Sequence, residues 1–275
     1  MDRKFRISII MGVLNPERNP LFESVCSILR QDFPDWEFIL YNDGSGPAAT
    51  RMIQEAAGMD SRITYLEGKQ TCGLAHALNE CIRHTCSPYI ARMDADDLSL
   101  PHRLGEQYCF LEQNPQYQWV GSCAQLIDSG GGWGIQKVPE KPEKEDFLFN
   151  SPFIHPTVVF RREALVLTGG YDPSPKSRYA EDYELFMRLY RNGLRGYNLQ
   201  QPLLQYREDY RAHLRRTYRR RIQEMQLRRY GFQQLGILNF RAVPYVLKPL
   251  FVGLIPADIH HSINRRIKRQ GEDTA

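Results

Sequence analysis

Residues 89–104 read Tyr-Ile-Ala-Arg-Met-Asp-Ala-Asp-Asp-Leu-Ser-Leu-Pro-His-Arg-Leu. Ser87-Pro88 breaks whatever precedes this stretch, and Tyr89–Met93 is a short, largely apolar run. Such a run predicts a buried strand, and the carboxylates that end it predict that its C-terminal end reaches solvent. Asp94, Asp96 and Asp97 are costly neighbours unless they face water or a cation. Asp94 and Asp96, one residue apart beyond a strand, can both reach one Mg2+ or Mn2+, hard cations that prefer oxygen ligands. Helix capping is the competing reading, with Asp97 or Ser99 placed before Pro101 as a first helical residue. Capping accounts for one aspartate, not three. A calcium loop of the EF-hand type is excluded, because its glycine and distal glutamate are missing.

Working towards the N-terminus, strand and helix patterns alternate. Ile7–Met11 is a continuous apolar run, and Pro20–Gln31 carries Leu21, Val25, Ile28 and Leu29 at helical spacing. Glu37–Tyr41 is a second strand, closed by the turn sequence Asn42-Asp43-Gly44-Ser45. A polar helix over Ala48–Ala57, a strand over Ile63–Leu66 and a helix over Gly73–Ile82 complete the series. This rhythm predicts an α/β fold with a mainly parallel sheet and helices on both faces. Ligands then sit beyond the carboxyl ends of the strands. Asn15, Asp43 and the Asp94–Asp97 cluster follow the first, second and fourth strands. Taken alone, Asp43 reads equally as a turn residue bonded to its own backbone and as a nucleotide ligand.

Towards the C-terminus, Trp119–Ile127 and Thr157–Phe160 read as strands. The glycine-rich turn Gly130-Gly131-Gly132 and the charged loop Pro139–Lys144 lie between them. Gly169-Gly170-Tyr171-Asp172 breaks structure before a helix over Glu181–Asn192, whose apolar positions include Leu185, Phe186 and Leu189. The acidic pair Glu181-Asp182 at its start either complements the helix dipole or supplies a general base aimed into a cleft. From Tyr210 to Tyr230 the pattern is a strongly basic helix, broken at Gly231.

The 275 residues are 42% hydrophobic and 25% charged, enough to bury a core. No apolar run reaches the length of a bilayer span, and Ile7–Val13 reads as a buried strand rather than a signal peptide. Six cysteines form no Cys-x-x-Cys pair, and no nearby histidines complete a zinc pattern. That predicts reduced, mostly buried thiols in a cytosolic protein. The net charge of +4 is uneven: residues 207–275 carry 15 Lys/Arg against 6 Asp/Glu, and the body is mildly acidic. The basic tail fits either a helix packed on the body or a peripheral anchor on an anionic membrane surface. It lacks interleaved aromatic platforms, so nucleic acid is not an expected partner.

Seven segments occur in a telling order: Ile7–Asn15 (ISIIMGVLN), Ser24–Phe33 (SVCSILRQDF), Asn42–Ser45 (NDGS), Gly73–Asn79 (GLAHALN), Tyr89–Leu104, Phe153–Arg162 (FIHPTVVFRR) and Gly169–Leu189 (GGYD…AEDYELFMRL). Together they resemble the family 2 inverting glycosyltransferases of the GT-A fold, over residues 5–207. Within that family they look most like members that build bacterial capsule or O-antigen polysaccharides. The resemblance implies a catalytic domain over residues 1–207 and a basic helical extension over 208–275. It implies a nucleotide-sugar donor, with a UDP-sugar as first choice, and a glycan or lipid-linked acceptor. It places Gly12, Asn15 and Asp43 at the donor, with Asp43 bonding the base. Asp94 and Asp96 match the DxD pair that binds the donor and holds Mn2+ or Mg2+. Asp182 matches the catalytic base. His155, Gly170, Tyr171 and Glu181 fall on the acceptor side. The enzyme so implied is cytoplasmic, at the inner face of the membrane.

Two positions depart from the family pattern. Leu14 stands where an aromatic usually lines the base pocket, and Thr71 stands where an asparagine usually precedes the Gly73 motif. Two other classes remain as alternatives. A nucleotidyltransferase would carry a glycine-rich basic loop, whereas Gly12–Asn19 has one glycine and one arginine. A non-catalytic binding protein of this fold would be expected to have lost Asp96 or Asp182.

Overall fold

The structure, a computed structural model, describes residues 5–208, 217–254, 265 and 268. In chain order its elements are β1 (Ile7–Val13), α1 (Arg18–Leu29), β2 (Trp36–Asn42), α2 (Pro47–Ala57), β3 (Ile63–Glu67), α3 (Leu74–His84), β4 (Tyr89–Arg92), β5 (Leu98–Ser99) and α4 (Arg103–Gln113). They continue with β6 (Trp119–Asp128), β7 (Gly131–Gln136), β8 (Val159–Arg161), α5 (Arg162–Thr168), α6 (Glu181–Arg191), β9 (Gly196–Arg207), α7 (Tyr218–Leu235) and α8 (Val243–Val252).

The strands form one sheet in the order β3-β2-β1-β4-β8-β6-β9-β5, with β7 paired to β6. The half β3-β2-β1-β4 is parallel, as the alternation predicts. The other half is mixed: β8 runs antiparallel to both β4 and β6, while β9 runs parallel to β6. Beyond β1 the chain builds first towards β2 and β3, then crosses back to β4. The carboxyl ends of β1 and β4 therefore flank a crevice of the kind that binds ligands in open α/β sheets.

Alternation along β1 explains the two layers. Ile7, Ile9, Met11 and Val13 share a core with Val25 and Ile28 of α1, Ile53 of α2 and Leu104 of α4. Ile10 faces the other way, into a core with Leu78 and Cys81 of α3 and Phe186 and Leu189 of α6. Trp119 lies fully buried in that second core, ringed by Phe153, Phe160, Phe186 and Tyr190. Gly196 pairs with Trp119 across the sheet, and any Cβ there would run into the indole.

Several expectations need correction. The strands β5, β7 and β9 are absent from the sequence reading. α4 begins at Arg103, so neither Asp97 nor Ser99 caps it. The basic helix is not broken at Gly231. α7 runs through that residue to Leu235 and ends at Gly236, whose φ of +75° suits glycine. A Cβ at 231 would collide with the Met187 side chain, so the glycine marks close packing of α7 on α6. Arg211, Arg215 and Arg216 lie outside the described residues. Arg228 is buried rather than solvated: it pairs with Glu224 and donates to the carbonyl of Leu148. Leu227, Phe232 and Leu235 of α7 belong to the α6 core, so the extension is packed on the body. The thiols are not mostly buried: Cys72, Cys86 and Cys109 are exposed, Cys26 is half-buried, and only Cys81 and Cys123 are buried.

Candidate active site

The carboxylate loop after β4 is held from three sides. From α1, the Ser24 hydroxyl donates to the carbonyl of Asp94 at 2.8 Å, and Ser27 Oγ accepts from the Ser99 amide at 2.9 Å. Gln31 Nε2 donates to the Leu100 carbonyl at 2.7 Å. From β9, the Arg207 amide donates to Asp97 Oδ1 at 2.8 Å, and Arg207 Nε donates to the Asp96 carbonyl at 2.9 Å. From β4 itself, Arg92 Nη2 donates to Asp94 Oδ1 at 2.6 Å. Asp97, 1% exposed, is thus the fastening of this loop to β9. Asp94 is half-buried and Asp96 exposed, at the carboxyl end of β4.

Charge crowding in the loop raises carboxyl pKa values. Asp96 is pushed up to about 6, by the protein around it and then by the like charge of Asp94. Since the Asp96 side chain is exposed, the Asp94 charge is the firmer of these causes. Asp97 is raised well above the ordinary carboxylate range, chiefly by burial. Bringing a hard divalent cation to Asp94 and Asp96 would relieve the repulsion, and their donor set of oxygens suits Mg2+ or Mn2+. The residues present therefore fit such an ion.

The turn after β2 is a second anchored element. Asp43 is buried, and its two oxygens accept from the amides of Cys72 at 3.0 Å and Gly73 at 2.7 Å. Each oxygen keeps a second lone pair, so the carboxylate can still accept a ring N–H. Asn15, with φ of +46°, ties the end of β1 to this turn: its amide donates to Ser45 Oγ, and its Oδ1 accepts from the Gly46 amide, both at 2.9 Å. Leu14 beside it is 46% exposed, an aliphatic surface at the crevice rim. Gly12 lies where a Cβ would approach Ala77 to 2.7 Å, which lets α3 sit close on the sheet.

α3 carries the same anchoring to the other side of the crevice. Asn79 accepts from the Tyr171 amide and donates to the Tyr171 carbonyl, each at 2.8 Å. Gly170, with φ of +72°, would clash with Asn79 if it had a Cβ. Tyr171 is buried, and its hydroxyl lies 2.7 Å from His155 Nε2. Burial and nearby Arg92 hold His155 well below its ordinary pKa, so it is neutral at physiological pH. Asp182 sits in the first turn of α6. Its carboxyl is pushed up to about 6 by desolvation and by Glu181, while the amides of the helix start and Arg92 oppose the rise. Glu181 lines a cleft with Cys72–Ala75 and Asp172–Ser174.

Arg92 is the hub that sequence reading missed. It is 1% exposed, and its Nε and Nη1 find no hydrogen-bond partner among the described residues. Its charge acts on Asp94, Asp96, Asp97, His155, Tyr171 and Asp182. The structure thus gathers Asp94, Asp96, His155, Tyr171 and Asp182 around one buried cation. Asp43 and Asn15 form a separate group at the neighbouring strand ends. A positive residue inside the apolar run Tyr89–Met93 was the available signal for Arg92. The polar positions Ser24, Ser27 and Gln31 on one face of α1 were the signal for the loop supports.

Comparison with known proteins follows the same lines. The sequence pattern of the family described as "Glycosyl transferase family 2" matches residues 8–167. Two relatives align over nearly the whole chain. The "Putative glycosyltransferase EpsE" of Bacillus subtilis (strain 168) is 36% identical over 97% of this chain and 96% of its own. The "UDP-Gal:alpha-D-GlcNAc-diphosphoundecaprenol beta-1,3-galactosyltransferase" of Escherichia coli is 25% identical over 96% of this chain and 97% of its own. Among solved structures, the mannosyltransferase PcManGT from Pyrobaculum calidifontis, in complex with GDP-Man and Mn2+, superposes with a TM-score of 0.60. It is 18% identical, and the match covers 95% of this chain and 80% of that one.

Proposed function

The chain belongs to glycosyl transferase family 2 and has the GT-A fold; from that premise we propose that it moves one sugar, with inversion, from a UDP-sugar to a hydroxyl of a lipid-linked glycan in surface-polysaccharide assembly. The observation that carries the reading is Asp182: a carboxylate at the start of α6 with a pKa raised to about 6, sharing the Arg92 field with Asp94 and Asp96. A base poised near neutrality balances ionisation against proton affinity.

In the proposed reaction Asp182 takes the proton of the acceptor hydroxyl as its oxygen bonds to the anomeric carbon. The bond from that carbon to the donor diphosphate breaks, and the nucleoside diphosphate leaves with the electron pair. A single displacement of this kind inverts the anomeric configuration. Asp94 and Asp96 would hold a Mn2+ or Mg2+ ion, whose chemistry is to act as a Lewis acid towards the diphosphate. Arg92 fixes Asp94 and keeps Asp182 ionisable. Asp43 accepts from the ring N–H of the base, Asn15 holds its turn, and Gly12 keeps the floor of the donor side close to α3. His155, neutral and bonded to Tyr171, shapes the acceptor side with Gly170 and Glu181. The relative acting on a diphosphoundecaprenol-linked sugar supports both the uridine donor and the lipid-linked acceptor.

The GDP-mannose complex of the structural neighbour favours a guanine donor as the second reading. Thermal shift with UDP, GDP and dTDP in Mn2+ separates the two: UDP should stabilise most, and stabilisation by GDP alone would overturn the uridine donor. Asp96→Ala should abolish transfer yet keep the fold, since its side chain is exposed. EDTA should abolish transfer reversibly. Full transfer in EDTA would remove the metal from the mechanism.

A further inference from the structure

The hydrogen bonds that fasten Cys72 and Gly73 to Asp43 have a second effect: they bring a thiol beside a carboxylate. Gly73, at φ of +98°, turns the chain into α3, and His76 follows in its first turn. A carboxylate oxygen of Asp43, the sulfur of Cys72 and a ring nitrogen of His76 all lie within 4.8 Å of one another. Cys72 is a free, exposed thiol.

The imidazole is already arranged as a ligand. His76 Nε2 lies 3.5 Å from Glu80 Oε1, one helical turn further on. Its Nδ1 is buried and has no hydrogen-bond partner among the described residues. A carboxylate at one ring nitrogen favours the proton there and leaves the lone pair on the other, which is how metal-binding histidines are commonly oriented. The Tyr41 ring packs edge-on against the imidazole, the ring centroids 6.1 Å apart. Asp43 is likewise fixed by its two amide bonds, each oxygen keeping one lone pair.

We propose that Asp43, Cys72 and His76 form a binding site for a zinc-class divalent cation, and that filling it excludes the nucleotide base from Asp43. Sulfur, nitrogen and one carboxylate oxygen are the donor set of Zn2+, not of Mg2+ or Mn2+. Metal–ligand bonds of about 2.0–2.3 Å place tetrahedral ligands roughly 3.3–3.7 Å apart. The observed spacing, within 4.8 Å, must close by up to about 1.5 Å on binding, and the exposed Cys72 side chain is free to take part in that closure. On binding, the thiol releases its proton to solvent, and water takes the fourth position. Cys72 and His76 stand four residues apart, but Asp43 joins them only through the fold, 29 residues before Cys72, so the sequence alone does not show the set. The exclusion of the base rests on Asp43 as its acceptor; the metal site does not.

The test is a Co2+ titration of the full-length protein, read by the thiolate-to-cobalt absorption band. One equivalent should bind, and Zn2+ should displace it. Cys72→Ser should abolish the band, and His76→Gln should weaken binding by at least about 10-fold. Cys26→Ser and Cys109→Ser should change neither. The absence of a band in the wild type, or a band kept by both Cys72→Ser and His76→Gln, overturns the site. Nucleotide affinity is then measured with Mn2+ in excess, before and after one equivalent of Zn2+. It should fall in the wild type and hold in His76→Gln. If cobalt binds as expected and nucleotide affinity is unmoved, the site stands and the assignment of the base to Asp43 falls.

Discussion

Asp182 has neighbours that pull its proton in opposite directions. Desolvation and Glu181 hold the proton on; Arg92 and the amides at the start of α6 draw it off. The net pKa of about 6, against an ordinary 3.8, has a kinetic and a thermodynamic consequence. In its proposed role as base, Asp182 works only when ionised, so kcat/KM should rise with pH through about 6. Arg92→Met removes a charge that favours ionisation, and should move this acid limb to higher pH; a pH–rate profile reads the shift. As a structural group it behaves oppositely. Its raised folded-state pKa means that the contribution to stability is present below about pH 3.8 and is lost as pH rises through about 6. Asp182→Asn should therefore raise Tm at pH 7.5 while lowering turnover by about 10²-fold or more. The gain in Tm should vanish below about pH 4. A Tm unchanged at pH 7.5 would mean that the carboxylate carries no such cost.

At the scale of elements, the close approach of α6 and α7 is set by Gly231. Helix propensity alone favours alanine over glycine by about 1 kcal/mol. The Met187 thioether fills the place of the missing Cβ, but it is the far end of a flexible side chain and can swing aside. Gly231→Ala is therefore expected to stabilise by up to about 1 kcal/mol in urea unfolding, and a net loss would mean that Met187 cannot give way. The same glycine shows where sequence reading stops. In one dimension Gly231 looks like a break; in three it is a contact. The parallel half of the sheet was legible because β1, β2 and β4 are buried on both faces and read as apolar runs. β9 was not, because Gln200, Gln201 and Pro202 interrupt it at the point where its register with β6 shifts. β7 was hidden by Gly131 and Gly132, which read as a turn. Of the site, Asp43, Asp94, Asp96 and Asp182 stood out as carboxylates at element ends. Asn79 and Arg207 act through partners 92 and 111 residues away, and local pattern does not carry that.

For the whole molecule, the basic tail is divided between two surfaces. Arg265 pairs with Asp128 and Lys268 with Glu208, so these charges are engaged with the body. Lys248 donates to the Phe149 carbonyl and is likewise held inward. Arg266 and Arg269 lie outside the described residues. A different face remains open: Phe240 is 80% exposed, and Phe251, Leu254 and Val243 are exposed beside Arg241. Among the described residues no helix is long and apolar enough to cross a membrane. We propose that this face, rather than the paired cations, is the one that would meet an anionic membrane surface. Near-surface charges there contribute about 1 kcal/mol each and apolar side chains add to them. In vesicle flotation, binding should require anionic lipid, weaken with salt, and fall in Phe240→Ser/Phe251→Ser. A full-length chain that ignores anionic vesicles at low salt would leave α8 with a packing role alone.

α3 has one further consequence. Its N-terminal end is fastened to Asp43 through Gly73, and six residues later Asn79 grips Tyr171. A rise of about 1.5 Å per residue makes that interval roughly 9 Å. The helix is in effect a ruler between the turn that carries Asp43 and the segment that carries Tyr171. Its rise per residue, rather than any loop, sets that gauge: loops on either side can change length while the two anchored ends stay cut to the same separation.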